Sequence, residues 1–124
     1  MEKILRRHTV SFRNAFAGIW WAFTTQPNFR IHLILASFAL FLSWYLGITQ
    51  IELAVVIFTV VLGLLAEMIN TAIESMTDLI TKEWHKEAKI AKDVSAGMML
   101  TVSVGAVLVA WVIFGSKLIS RFGI

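Results

Sequence analysis

The chain has no cysteine, which excludes a disulfide scaffold, a thiolate zinc site and thiolate haem ligation. Charge is scarce as well: 15% of the 124 residues are charged and 58% are hydrophobic, a balance outside the range of ordinary soluble domains. There is no Walker A sequence. The stretch GLLAEMIN at 63–70 lacks both the glycine spacing and the lysine of a phosphate loop. The first thirty residues lack the short apolar core and small-residue cleavage site of a signal peptide, so no processing is expected there. The single proline, Pro27, leaves the rest of the chain open to long helices. The formal net charge is +3. Most of the positive charge lies outside the apolar runs, which points to topology and headgroup contact and not to nucleic-acid binding.

The apolar sequence divides into segments of an all-α membrane protein. Leu5, Phe12, Phe16, Ile19, Trp20 and Phe23 recur at helical spacing among Arg6, Arg7, Arg13 and Asn14. This predicts an amphipathic surface helix over about residues 4–24, with Trp20 and Trp21 at headgroup level. TTQPN at 24–28 should break it, because Pro27 disfavours helical geometry at Gln26. Residues 33–51 and 94–116 are free of charge and long enough to span. Transmembrane helices are expected at about 30–47, 51–80 and 88–118. Residues 47–50 should form a tight turn, and 81–93 a solvated, partly helical junction. Five basic residues precede the first span, none lies in the first connection and four lie in the second (Lys82, Lys86, Lys89 and Lys92). The positive-inside rule then predicts a multi-pass plasma-membrane protein with a cytoplasmic N-terminus. Lys117 and Arg121, at the far end, run against that count.

The middle span carries the chemistry. Its uncharged stretch, residues 53–66, is too short to cross a bilayer by itself. Glu67, Asn70, Glu74 and Asp78 follow at spacings that stack them on one helix face. Carboxylates at membrane depth are costly and mark function. Lys92, Asp93 and His85 lie in the adjacent junction. Oxygen donors for a magnesium–nucleotide complex, a cation for phosphates and a base for an acceptor hydroxyl are therefore all available. From the residues alone, a kinase and a proton- or cation-coupled carrier remain equal alternatives.

The stretch from Glu67 through Asn70, Thr71, Ala72, Ile73 and Glu74 to Asp78 is similar to the signature of the prokaryotic diacylglycerol kinase and undecaprenol kinase family. His85 with Ala91, Lys92 and Asp93 resembles it too, as do SFRNAFAGIWWAF and NFRIHL earlier in the chain. The resemblance implies a single lipid kinase domain over residues 1–124. It also implies a homotrimeric helical bundle, each subunit having a surface helix and three transmembrane helices. ATP would be co-substrate, Mg2+ the cofactor and a membrane lipid alcohol the acceptor. By the same resemblance Glu67 is the catalytic base or acceptor-orienting carboxylate. Glu74 is a metal ligand, and Arg7, Asn14, Asn70, Glu74, Asp78, His85, Lys92 and Asp93 lie on the nucleotide side. Glu67, Trp20 and Ala66 lie on the lipid side. Gln26 departs from the family, which has a metal-binding Glu there. That difference leaves a weaker metal site or a non-catalytic lipid-binding homologue as alternatives. RIHL at 30–33 resembles the undecaprenol branch, whereas the diacylglycerol branch has an acid in place of His32. The expected product is undecaprenyl phosphate, with phosphatidic acid the alternative.

Overall fold

A computed structural model describes the backbone of residues 2–123 and the side chains of residues 11–123. The described residues are helical apart from short connections: α1 Glu2–Thr25, α2 Pro27–Leu46, α3 Gln50–Ile80, α4 Lys86–Ala110 and α5 Ser116–Phe122, with one π-helical turn, Trp111–Gly115, joining the last two. Three units are long and apolar enough to cross a membrane: α2, α3 and the continuous Lys86–Phe122. Among the described residues, large apolar side chains such as Phe38, Phe58, Val61 and Trp111 stand exposed on these helices. That surface suits hydrocarbon as its solvent.

Each connection has a local cause. Gln26 is extended (φ −100°, ψ 109°) and Pro27 occupies the first turn of α2, where its missing N–H is no loss. Gly47 ends α2 in the left-handed region (φ 59°, ψ 48°), which glycine enters without a Cβ clash. Two residues on, Thr49 caps α3. Its hydroxyl accepts from the Glu52 N–H at 3.3 Å while the Glu52 carboxylate accepts from the Thr49 N–H at 2.7 Å, a reciprocal box that satisfies two orphan donors. At the other end Thr81 leaves the helix in extended geometry. The Glu83 N–H donates to its hydroxyl at 3.1 Å. Helix resumes at Lys86, so the non-helical part of this junction is only residues 81–85.

The helices pack antiparallel, α3 between α2 and α4. Leu46, Val56, Ile113 and Phe114 form the buried apolar core near the α2–α3 turn. The π turn adds one residue to the helical period. It buries Ile113 and Phe114 while Trp111 and Val112 face outward. The turn lies within the third span expected from the sequence, which runs continuously from Lys86 to Phe122.

The same end carries a polar tie. Lys117 Nζ lies 3.4 Å from Glu52 Oε2. Arg121 donates to the Tyr45 carbonyl at 3.1 Å and sits 4.7 Å over the Tyr45 ring. The two cations that opposed the topology count are therefore held to this chain's own turn.

Candidate active site

The opposite end of α3 holds the acids. Glu67 (3% exposed) and Asn70 (8% exposed) are buried, with Ala66 and Thr71 beside them. Glu74 and Asp78, one and two turns further on, are exposed. Counted from Gln50 at 1.5 Å per residue, Glu67 lies about 26 Å along the helix, Glu74 about 36 Å and Asp78 about 42 Å. The hydrocarbon layer is about 30 Å thick. A helix entering at Gln50 thus brings Glu67 just inside the far edge of the apolar layer, Glu74 among the headgroups and Asp78 into water.

Asn70 links the two carboxylates' levels. Its Nδ2 donates to Glu74 Oε1 at 3.1 Å, which fixes the amide orientation and turns Oδ1 away from Glu74. That Oδ1 is buried and has no hydrogen-bond partner. An orphaned buried acceptor loses its hydration without compensation. It is an open position for a cation or a donor. Asn70 Oδ1 and the Glu74 carboxylate both offer hard oxygen, the donor type magnesium takes. Among the described residues no group of three or more His, Asp or Glu converges on one point. The protein oxygens at this point are the Glu74 carboxylate and Asn70 Oδ1.

The nucleotide-side residues divide. Lys92 and Asp78 meet across α3 and α4 at 2.5 Å (Nζ to Oδ1). Asp93 pairs with Lys89 one turn away on α4. Both pairs are largely exposed, so water screens them and their net worth is small. They can be exchanged for contacts to a phosphate at little cost. His85 is the exposed N-cap residue of α4, with no side-chain capping bond. Asn14 and Trp20 are exposed on α1, Trp20 lying against Phe23 at 5.8 Å between ring centroids. Gln26 sits at the α1–α2 break, its amide donating to Thr25 Oγ1 at 3.3 Å. No hydrogen bond ties it to the α3 acids among the described residues. The Arg7 side chain lies outside the described residues.

The structure adds three placements to the sequence reading. Ser95, 2% exposed, is the most buried polar residue and donates to the Lys92 carbonyl at 2.9 Å. That bond lies within α4, and the burial agrees with the small-residue packing face that the sequence places on the third span. His32 and Gly63 face one another across α2 and α3, a Cβ on Gly63 meeting His32 Nδ1 at 4.0 Å. Thr71 is buried one residue beyond Asn70.

Comparison with known proteins shows the family. The family model for prokaryotic diacylglycerol kinase matches residues 13–114. A diacylglycerol kinase of Synechocystis is 43% identical over 101 residues, which is 81% of this chain and 58% of that protein. The undecaprenol kinase of Bacillus subtilis is 36% identical over 115 residues, 92% of this chain and 93% of its own length. A diacylglycerol kinase of Haemophilus influenzae is 30% identical over 105 residues, covering 84% and 89%. The matched region includes the whole of α2 and α3 and every acid of the stripe, and the chain belongs to the prokaryotic diacylglycerol kinase family.

Proposed function

We propose that this protein is an ATP- and magnesium-dependent kinase that phosphorylates the hydroxyl of a membrane lipid, undecaprenol being the acceptor. One observation carries the reading. On a single helix, the buried Glu67 is followed by the hydrogen-bonded Asn70–Glu74 pair, and the rise counted from Gln50 puts the edge of an apolar layer about 30 Å thick between Glu67 and Glu74. That is where an alcohol dissolved in lipid meets a nucleotide dissolved in water.

In this reading Glu67 takes the proton of the acceptor hydroxyl. The freed oxygen forms a bond to the γ-phosphorus, and the bond from that phosphorus to the β–γ bridging oxygen breaks, releasing ADP. Phosphoryl transfer asks mainly for positioning and charge neutralisation. Lys92 exchanges Asp78 for phosphate oxygens, and His85, Asp93, Arg7 and Asn14 border the nucleotide. Glu74, with Asn70 Oδ1 and Gln26, would hold magnesium, which supplies charge neutralisation on the phosphates. Ala66 and Trp20 face the lipid. The chain works as one domain over residues 1–124, as a homotrimer, with α1 on the cytoplasmic surface of the plasma membrane. The exposed Phe12, Phe16 and Trp20 of α1 support that placement.

Incubating the purified protein with labelled ATP, magnesium and either undecaprenol or diacylglycerol tests the proposal. Transfer to undecaprenol is expected, and Glu67→Gln should lower kcat by about 10²–10⁴-fold, the range for losing a positioned general base. Full activity of Glu67→Gln removes the base role. A second reading, diacylglycerol as acceptor, is favoured by the 43% identity to the Synechocystis protein; preferential formation of phosphatidic acid in the same assay selects it.

A further inference from the structure

The first turns of α4 carry charge of the wrong sign for a helix start. The N-terminal end of a helix is its positive end, where acids are favoured and cations are not. Here Lys86, Lys89 and Lys92 fall within the first seven residues of α4, with Glu87 the one acid of the first turn. His85, the N-cap residue, makes no side-chain capping bond. Local rules broken together at one place point to a demand from outside the helix. An anion relieves the lysines and the helix end at once.

The face matters as much as the count. At about 100° per residue, Lys89 and Lys92 lie within about 60° of one another around α4, with His85 between them. Lys86 lies about 100° from His85. The Lys92–Asp78 pair, at 2.5 Å, shows that the shared face looks onto the acid stripe of α3. Because α4 returns toward the membrane, Lys89 stands one turn outward of Lys92. On the count from Gln50, Glu74 lies at about 36 Å, Lys92 level with Asp78 at about 42 Å and Lys89 at about 46 Å. The step from Glu74 to Lys89 is therefore about 10 Å, which a triphosphate and a lysine side chain cover between them. Lys89 is paired with Asp93, the two side chains 59% and 61% exposed. A pair so well solvated is given up at little cost.

We infer that Lys89 is a nucleotide-binding residue, a second phosphate-contacting cation beside Lys92, which leaves Asp93 to hold the phosphates furthest from the one transferred. The inference rests on the kinase reading above and adds a residue to its nucleotide side. Lys89 is remote from the γ-phosphorus. Its contact is the same in the bound nucleotide and in the transition state, so it serves binding and not the chemical step.

The test uses the full-length protein in lipid nanodiscs with Lys89→Gln, Lys89→Arg, Asp93→Asn and the double variant Lys89→Gln with Asp93→Asn. For each, kcat and KM for ATP are measured with undecaprenol and with diacylglycerol, and the Kd of magnesium–ADP by calorimetry. Lys89→Gln should raise KM for ATP and Kd for ADP by about three- to tenfold, the worth of one charge-assisted hydrogen bond at a wetted site. Its kcat at saturating ATP and its KM for the alcohol should change by no more than about twofold. Lys89→Arg keeps the cation and should recover most of the loss. A lysine that merely holds Asp93 in place has nothing further to lose once Asp93 is replaced. A Lys89→Gln effect that vanishes in the double variant therefore overturns the inference and leaves the kinase reading standing. Unchanged KM and Kd in Lys89→Gln, or a loss confined to kcat, does the same. A wild type that binds no magnesium–ADP and phosphorylates neither alcohol removes the kinase reading and this inference with it.

Discussion

Asn70 is the residue on which the site's arithmetic turns. One side of its amide is spent on Glu74 and the other is buried without a partner. The same carboxylate then has one oxygen held by an amide at 3.1 Å, which sets its rotamer before any ligand arrives. Gln26 bears on the same chemistry from α1–α2. A neutral carbonyl oxygen draws a dication more weakly than a carboxylate. Replacing Gln26 by Glu should lower the magnesium concentration giving half-maximal rate by about three- to tenfold, read from a metal titration at saturating ATP; an unchanged midpoint separates this position from the metal. Asn70→Ala should raise that midpoint, since it removes an oxygen donor and frees Glu74. At this scale the sequence showed the stripe well, because spacings of three and four residues are visible in one dimension. It also showed the order of depth: the uncharged stretch spans only if Glu67, Asn70 and Glu74 follow it inward, with Asp78 near the exit, and Glu67 and Asn70 are buried while Asp78 and also Glu74 are exposed. It did not show the Asp78–Lys92 pair, which joins residues fourteen apart only once the junction at 81–85 folds back.

Helix ends and interruptions are where the elements of this chain earn their geometry. Gly47 is left-handed and Thr49 completes a capping box two residues later. Alanine at Gly47 is expected to cost about 1–2 kcal/mol from the Cβ clash, and Gly47→Asn less, because its side chain tolerates that region. Thr49→Ala should cost about 1 kcal/mol through the lost cap. Unfolding midpoints in mixed detergent micelles rank the three variants, and equal midpoints for Ala and Asn at 47 would show that the turn relaxes. The three spans and the break at Gln26–Pro27 were legible because apolar runs and proline act locally. The π turn at 111–115 was not. WVIFG reads as helix by any propensity, and the extra residue is set by the demand to bury Ile113 and Phe114 against Leu46 and Val56, a contact between segments more than fifty residues apart.

At the scale of the molecule, the two ends of the bundle differ in kind. One end holds the apolar core, the capped turn and a tie made by Glu52–Lys117 and Tyr45–Arg121. The other holds Glu67, Asn70, Glu74 and the Asp78–Lys92 pair. The positive-inside rule counts cations near span ends, and Lys117 and Arg121 would count against a cytoplasmic N-terminus. Both are held to the α2–α3 end, Lys117 by Glu52 and Arg121 by the Tyr45 carbonyl and ring, and they are outnumbered by the nine basic residues before the first span and in the α3–α4 junction. The expected orientation puts the α3–α4 junction in the cytoplasm and the α2–α3 turn outside. The absence of native cysteine makes the check clean, since single cysteines can be introduced at Ile48, Glu83 and Gly123 without a background. In intact cells a membrane-impermeant thiol reagent should label Ile48→Cys and Gly123→Cys and spare Glu83→Cys until the membrane is opened. Neutralising both cations as Lys117→Gln with Arg121→Gln should leave that pattern unchanged while weakening the tie to the turn. Labelling of Glu83→Cys from outside would place the acids away from cytosolic ATP, and a kinase of this orientation would have no nucleotide to use.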